Sequence, residues 1–334
     1  MTNRRVRCAC AIAMLLAGVG VGLSQAPSSS PLRLEKTIPL PGVKGRIDHL
    51  AFDADNQRLF VAALGNNTVE IVDLKSGKVA HTISGLAEPQ GVLYEPERKR
   101  LWIANGNGGK VRIFDALTFQ PLRSIELGDD ADNIRRDAAT RRVFVGYGEG
   151  GIAVFDPDGN KAGDIKVDAH PESFQLEKNG GRMFVNLPGS QKVAVIDRLQ
   201  SAVVTSWTTD DARSNFPMAL DESGGRLFIV CRRPAVLLVL DTGSGAVVAK
   251  LPTVGDSDDV FYDQKRKRIY VSGGEGAIAV YQQKDADHYR EIAQLEAVKG
   301  ARTSLFVPEL SRLFLAVRQA GETAAAIRVY DVTK

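Results

Sequence analysis

Seven times along the chain an arginine is followed by an apolar, an aromatic and an aliphatic residue, at a spacing that hardly varies. The copies are Arg58-Leu59-Phe60-Val61, Arg100-Leu101-Trp102-Ile103, Arg142-Val143-Phe144-Val145, Arg182-Met183-Phe184-Val185, Arg226-Leu227-Phe228-Ile229, Arg268-Ile269-Tyr270-Val271 and Arg312-Leu313-Phe314-Leu315. Successive arginines are 42, 42, 40, 44, 42 and 44 residues apart. That period is the length of a four-stranded propeller blade and too long for a leucine-rich coil.

Each copy repeats one grammar. A short apolar run ends near an acid, as in Leu50-Ala51-Phe52-Asp53 or Met218-Ala219-Leu220-Asp221, and a four-residue polar turn leads to the arginine. A Gly- and Asn-rich loop follows the quartet, such as Asn105-Gly106-Asn107-Gly108-Gly109, where positive φ angles are easily adopted. Next comes an alternating strand closed by Asp, as in Val69-Glu70-Ile71-Val72-Asp73 and Val193-Ala194-Val195-Ile196-Asp197. No sustained helical period interrupts these strands. The seventh copy stops after its third strand at Ile327-Arg328-Val329-Tyr330-Asp331, while Leu32-Arg33-Leu34-Glu35-Lys36-Thr37-Ile38, ahead of the first copy, has the pattern of a fourth. The expected fold is therefore all-β, a seven-bladed β-propeller of four-stranded antiparallel blades. Its ring is closed by the N-terminal strand, residues 32–40, joining the last blade and covering its edge. Expected blade limits are near 47–88, 89–130, 131–170, 171–214, 215–257, 258–301 and 302–334.

Residues 1–26 read as a secretory signal, with Arg4, Arg5 and Arg7 ahead of an uncharged run from Ala9 to Leu23 that is short for a membrane span. The expectation is export to the periplasm or medium, with residues 27–334 forming one domain, expected to be a monomer without a transmembrane anchor. The formal charge of +3 rests on those three arginines, so the remainder is formally neutral and nucleic acid is not an expected partner. Cys8 and Cys10 lie in the signal and leave Cys231 as the only later thiol, which excludes a disulfide within the rest of the chain.

The quartet and the closing Val-x-Ile-x-Asp resemble the YVTN-type repeats of the YncE-like propeller family, from about residue 32 to the end, with Arg-Leu-Phe-Val as the local variant. The resemblance implies an exported seven-bladed propeller and brings over no catalytic residue. Tryptophan-aspartate repeats fit less well, because the copies lack their Gly-His and Trp-Asp pairs.

Propellers bind ligands at the mouth of the central channel, so residues equivalent by offset lie at equal depth. Five residues before Asp53, Glu95, Asp137, Glu177, Asp221, Asp263 and Pro308 stand Asp48, Gln90, Asp132, Glu172, Phe216, Asp258 and Thr303. His49, Gly91, Asn133, Ser173, Pro217, Asp259 and Ser304 follow, and then an apolar residue in every copy. Asp48, His49, Gln90, Asp132, Asn133, Glu172, Asp258, Asp259 and Thr303 thus form a candidate ligand-binding mouth, joined by Tyr147, Arg232 and Arg302, with His170 nearby.

Two readings of these residues stand open. Asp48, Asp132, Asn133, Glu172 and Asp258 are an oxygen-rich set suited to calcium or magnesium, which would polarise a lactone or ester carbonyl in a metal-dependent hydrolase or lyase resembling calcium-dependent lactonase propellers. Channel mouths are also wet, and turns use Asp and Asn for backbone reasons, which makes the same residues those of a non-enzymatic binding or scaffold protein for a small molecule, peptide or partner protein. Arg232 and Arg302 suggest an anion held on the side of blades five to seven. The quartet arginines, repeated in every blade, are expected to pack their stems and hydrogen-bond neighbouring turns.

Overall fold

The computed structural model describes residues 1–2 and 30–333; Cys8, Cys10 and all but the first two residues of the expected signal lie outside the described residues. Seven four-stranded antiparallel sheets stand in a ring, and the only helices among the described residues are two single 3₁₀ turns. Blade one runs Leu50–Asp53, Arg58–Ala63, Thr68–Asp73 and Lys78–Ile83 from the axis outward, and blades two to six repeat that order. In blade seven the fourth place is taken by Leu32–Pro39, paired antiparallel with Ala326–Val332 from Leu32↔Val332 to Pro39↔Ala326. The ring is closed by strand exchange, as the missing fourth strand implies. No helix among the described residues is long and apolar enough to cross a membrane.

The quartet explains the core. Its aromatic residue is at most 1% exposed in all seven blades, from Phe60 to Phe314. Apolar residues gather in seven layers, each between two neighbouring sheets: Phe60 packs with Val92, Tyr94 and Leu101 of blade two, and Trp102 with Val143, Val145 and Phe155 of blade three. Successive side chains of the second strand point to opposite faces of the sheet, so each quartet fills two layers at once. The repeating acids serve the turns. At the end of the innermost strand the Asp53 Oδ1 accepts the Asn56 N–H at 3.1 Å, and the Asp221 Oδ1 accepts that of Gly224 at 3.0 Å. At the end of the third strand the Asp73 Oδ1 accepts the Ser76 N–H at 2.6 Å, and the Asp241 Oδ1 that of Ser244 at 2.9 Å. In blades one, three and five Asp stands at both corners, because its carboxylate replaces a backbone acceptor there.

Five of the seven quartet arginines fasten one blade to the next, while Arg312 pairs with Glu35 and Asp331 of its own blade. Arg58 donates to Asp53 at 2.6 Å and, across the seam, to the Ala116 carbonyl of blade two at 3.0 Å. Arg182 reaches the Thr242 carbonyl of blade five, Arg226 the Ala286 carbonyl of blade six at 3.1 Å, and Arg268 the Thr333 carbonyl of blade seven at 2.8 Å. Arg142 departs from this expectation. It is exposed, and the seam between blades three and four is fastened from the other side by Arg198, 2.8 Å from Asp137 and bonded to the Glu177 carbonyl at 2.6 Å.

Two alignments need correction. In blade seven Val307 pairs with Arg312 as Asp53 pairs with Arg58, so the seventh equivalent of the acid is Val307 and not Pro308. Without an acid to mark the corner, the offset slips by one: Arg302 occupies the place assigned to Thr303, and Ser304 stands in the column that is apolar in the other six blades. The innermost strand of blade five also begins at Arg213, two residues ahead of the expected limit.

Candidate functional site

Residues from blades that are not neighbours can meet only near the axis of the ring, and His49 of blade one meets three of them. Its Nε2 lies 3.4 Å from the Asn133 amide and 4.0 Å from the Asp132 carboxylate of blade three, and its Nδ1 lies 3.8 Å from Asp259 of blade six. Asp48 stands 3.7 Å from the same imidazole. Gly91 makes room on the intervening blade: a Cβ there would come within 2.0 Å of the Asp132 carbonyl oxygen. The starts of the innermost strands of blades one, three and six therefore bring polar side chains together in a polar throat at the axis.

One side of the throat is acidic with a histidine. Asp132, His170 and Glu172 each bring a metal-ligating atom within 4.8 Å of the others. His170 Nδ1 lies 2.7 Å from the Gly148 carbonyl oxygen, which can only accept, so Nδ1 carries the hydrogen. Its Nε2 faces Asp130 at 3.8 Å and Asp132 at 4.0 Å. A lone pair there would be repelled by both carboxylates, so the position favours a positive charge. Burial works against a proton on His170, but Asp132, the Gly148 carbonyl, Glu172 and Asp130 overcome it and raise its pKa to about 9. Burial, with Asp132, Asp258 and Asp48 adding to it, pushes Glu172 up to about 8 although His170 pulls the other way. Asp132 is held below the usual carboxylate range: burial opposes this, and His170, His49 and Arg46 outweigh it. His49 is likewise opposed by burial, yet Asp48, Asp259 and Asp132 raise its pKa. Two oxygens here are buried without a hydrogen-bond partner, Asp132 Oδ1 and Asn133 Oδ1, in residues only 6% and 2% exposed.

The other side is internally neutralised. Arg232 bonds one oxygen of Asp258, and Arg302 lies 2.5 Å from the other and donates to Asp256 at 2.9 Å. Arg232 also stacks on Phe216, 3.8 Å from the ring centroid. The expected basic side is thus spent on Asp256 and Asp258, and both oxygens of Asp258, a candidate metal ligand, are occupied. Asp48 has one oxygen engaged, 2.5 Å from Arg46. Asp259 accepts the Ser304 N–H at 2.7 Å, and burial pushes its pKa up to about 7 against His49 and that hydrogen bond. Gln90 reaches the rim through Asp130 at 2.7 Å.

Two candidates point elsewhere. The Tyr147 hydroxyl donates to Asp164 on the outermost strand of its blade at 2.8 Å, away from the axis. Thr303 is buried and gives its hydroxyl to the Ile47 carbonyl at 3.2 Å, tying blade seven to blade one.

The sequence reasoning passed over Arg46, Asp130, Asp256 and Arg135. Arg46, Asp130, His170 and Asp256 all stand two residues ahead of the ring position in their copies, so one further column of the repeat would have found three of them together with His170. Arg135 lies three residues after it, in a column otherwise uncharged: Ala51, Leu93, Gln175, Ala219, Phe261 and Leu305. Its guanidinium donates to the Ile134 carbonyl at 2.9 Å and feels Asp259 and Asp132, a cation set beneath the carboxylates.

No family model and no curated protein matches the chain. Solved structures do. A chain of Kuenenia stuttgartiensis hydrazine synthase is 17% identical, covering 86% of this chain and 98% of that one, with a TM-score of 0.74. A chain of the mitotic checkpoint complex is 14% identical over 98% of this chain and 99% of its own, with a TM-score of 0.76. The WD40 repeats of RRP9 are 11% identical over 92% and 99%, with a TM-score of 0.77. At such identities the likeness is one of fold, and the chain is a seven-bladed β-propeller.

Proposed function

We propose that this chain is an exported binding propeller of the YVTN, YncE-like kind, which holds a small, positively charged ligand in its channel mouth and does no chemistry on it. One observation carries the reading: Asp132 Oδ1 and Asn133 Oδ1 are buried at the axis with no partner in the protein. An unsatisfied buried acceptor is costly, by about 1–3 kcal/mol, and two together on an acidic wall favour a guest that donates hydrogen bonds or carries positive charge. The anionic guest suggested by Arg232 and Arg302 loses support, because both guanidinium groups are engaged by carboxylates. The resemblance of the repeats and the basic, then apolar, first residues support export. The mitotic checkpoint structure supports partner proteins as a further class of guest for propellers of this shape. A hydrolase or lyase reading has one observation in its favour, the Asp132, His170 and Glu172 grouping, and would require turnover of a lactone or ester.

Thermal-shift measurements against amines, basic dipeptides, divalent chlorides and lactones test the reading. The expected result is a rise in Tm of several degrees with at least one cationic class, absent from an Asp132→Asn/Glu172→Gln double variant, with the ligand recovered unchanged. Equal shifts in the double variant, or turnover of a lactone, would overturn it.

A further inference from the structure

We infer that Asp132, His170 and Glu172 form a divalent-cation site of the zinc class in the channel mouth, with His170 Nε2 as its nitrogen ligand. The inference rests on the reading of that mouth as a binding site and names its guest.

Three observations converge on it. The first is spacing. Ligands bound about 2.0–2.2 Å from one ion stand roughly 3–4 Å from each other. One ligating atom from each of the three residues lies within 4.8 Å of the others, and His170 Nε2 is 4.0 Å from Asp132 Oδ2, too far for a hydrogen bond. The second is the orientation of the imidazole. A metal-binding histidine typically gives its other ring N–H to a carbonyl or carboxylate, which fixes the tautomer and aims the ligating nitrogen. His170 does this at 2.7 Å to the Gly148 carbonyl and turns Nε2 toward the acids. The third is the orphaned acceptor: Asp132 is 6% exposed, and its Oδ1 has no partner. Asn133 Oδ1, on the next residue, is also buried and unpaired.

The choice of cation follows from which donors are free. Calcium takes six to eight oxygens and magnesium a near-octahedral set. Here Asp258 is occupied on both oxygens by Arg232 and Arg302, and Asp48 on one by Arg46. The atoms that share the 4.8 Å spacing are one imidazole nitrogen and two carboxylates, a set that suits zinc and its neighbours in the first transition row. Two carboxylates also balance a charge of two. Three protein ligands leave a coordination place open toward the throat, where a water or the mobile end of a second ligand would bind.

Calorimetric titration of EDTA-stripped protein with ZnCl2, MnCl2, CaCl2 and MgCl2 tests the site. The expected result is one Zn²⁺ per chain, bound at least 100-fold more tightly than Ca²⁺ or Mg²⁺. His170→Asn and Glu172→Gln should each weaken Zn²⁺ at least tenfold, while His288→Asn, an exposed histidine far along the chain, leaves it unchanged. Unfolding curves of the metal-free variants that match wild type keep the comparison sound, and His170→Gln replaces His170→Asn should the latter not fold. With Co²⁺ bound, loss of His170 should alter the visible absorption band, which a merely structural role would not do. Zn²⁺ affinity unchanged in His170→Asn, or Ca²⁺ bound as tightly as Zn²⁺, overturns the inference. If an organic cation binds the mouth and no metal does, this inference fails and the proposed function stands; if neither binds, both fail.

Discussion

At the scale of single residues, the quartet arginine is the clearest case of a side chain whose role was legible from repetition and whose partner was not. A residue present in every blade serves every blade, which points to structure, but only the packed ring brings Arg58 to Ala116, 58 positions on. Its carboxylate partner Asp53 is fully buried and held below its ordinary pKa, against burial, by Arg58 and Asn56. Removing one member of a buried pair leaves the other charged and alone, at a cost of about 3 kcal/mol. Arg58→Met should therefore lose about 3 kcal/mol in urea unfolding, and Asp53→Asn added to it should recover part of the loss. Equal stability of the single variant and wild type would show that the pair is decorative. Asp259 shows the opposite balance. Its folded pKa of about 7 lies above the unfolded value near 3.9, so its burial penalty is absent at low pH, grows as pH rises through that interval and is complete above it. Asp48 and Asp258 repel the ionised form, and His49 and Arg135 offset them in part. Asp259→Asn should match wild type near pH 4 and exceed it by about 2 kcal/mol at pH 8. A variant that is weaker at pH 8 would contradict this.

At the scale of strands and blades, sequence offsets read depth along the channel well wherever the corner acid is present. Six blades keep Asp or Glu five residues before the arginine, and their ring positions fall where counting puts them; the seventh has Val307 there, and the count slips. The slip had a consequence, because it hid that Arg302 is itself the ring residue of blade seven. Tyr147 departs for a different reason: it ends the second strand of its blade, and position there says nothing about which way a long side chain turns, so Asp164 takes the hydroxyl outward. The seam between blades three and four makes a sharper test of element-scale reasoning. Arg142 belongs to the quartet but is exposed, whereas Arg198, outside the quartet, is 8% exposed beside Asp137 and reaches the carbonyls of Glu177, Gly180 and Gly181. Arg142→Ala should change stability by less than about 0.5 kcal/mol, and Arg198→Ala should lose about 2–3 kcal/mol. Comparable losses in chemical denaturation would mean that quartet membership, and not contact, sets the role.

At the scale of the whole molecule, the ring differs from an open solenoid in having no ends: each apolar layer lies between two sheets, and the layer between blades seven and one includes Ile38, Leu40, Leu59, Phe314 and Ile327. That layer depends on the closing strand, which supplies apolar surface as well as backbone pairing, and Lys36 of the same strand reaches the Leu74 carbonyl of blade one at 3.0 Å, where other seams use an arginine. Closure therefore adds the backbone hydrogen bonds of a shared blade, while at the remaining six seams the continuous chain and side-chain contacts join one complete sheet to the next. Two circular permutants separate these contributions. Residues 30 and 333 are adjacent, since the Thr333 hydroxyl donates to the Ser30 carbonyl at 2.7 Å, so a short Gly-Ser linker can join them. Opening the chain at Gly128, between blades two and three, leaves every blade with its own four strands and no strand exchange at the new gap. Opening it at Gly159, in the turn between the third and fourth strands of blade three, recreates the exchange at a new place. The permutant opened at Gly159 should unfold within a few degrees of the native order, and the one opened at Gly128 well below it, because an unlatched seam lets the ring part at one layer before the rest. Equal melting of the two would mean that apolar packing between blades holds the ring by itself and that the shared blade is a product of where the chain happens to start.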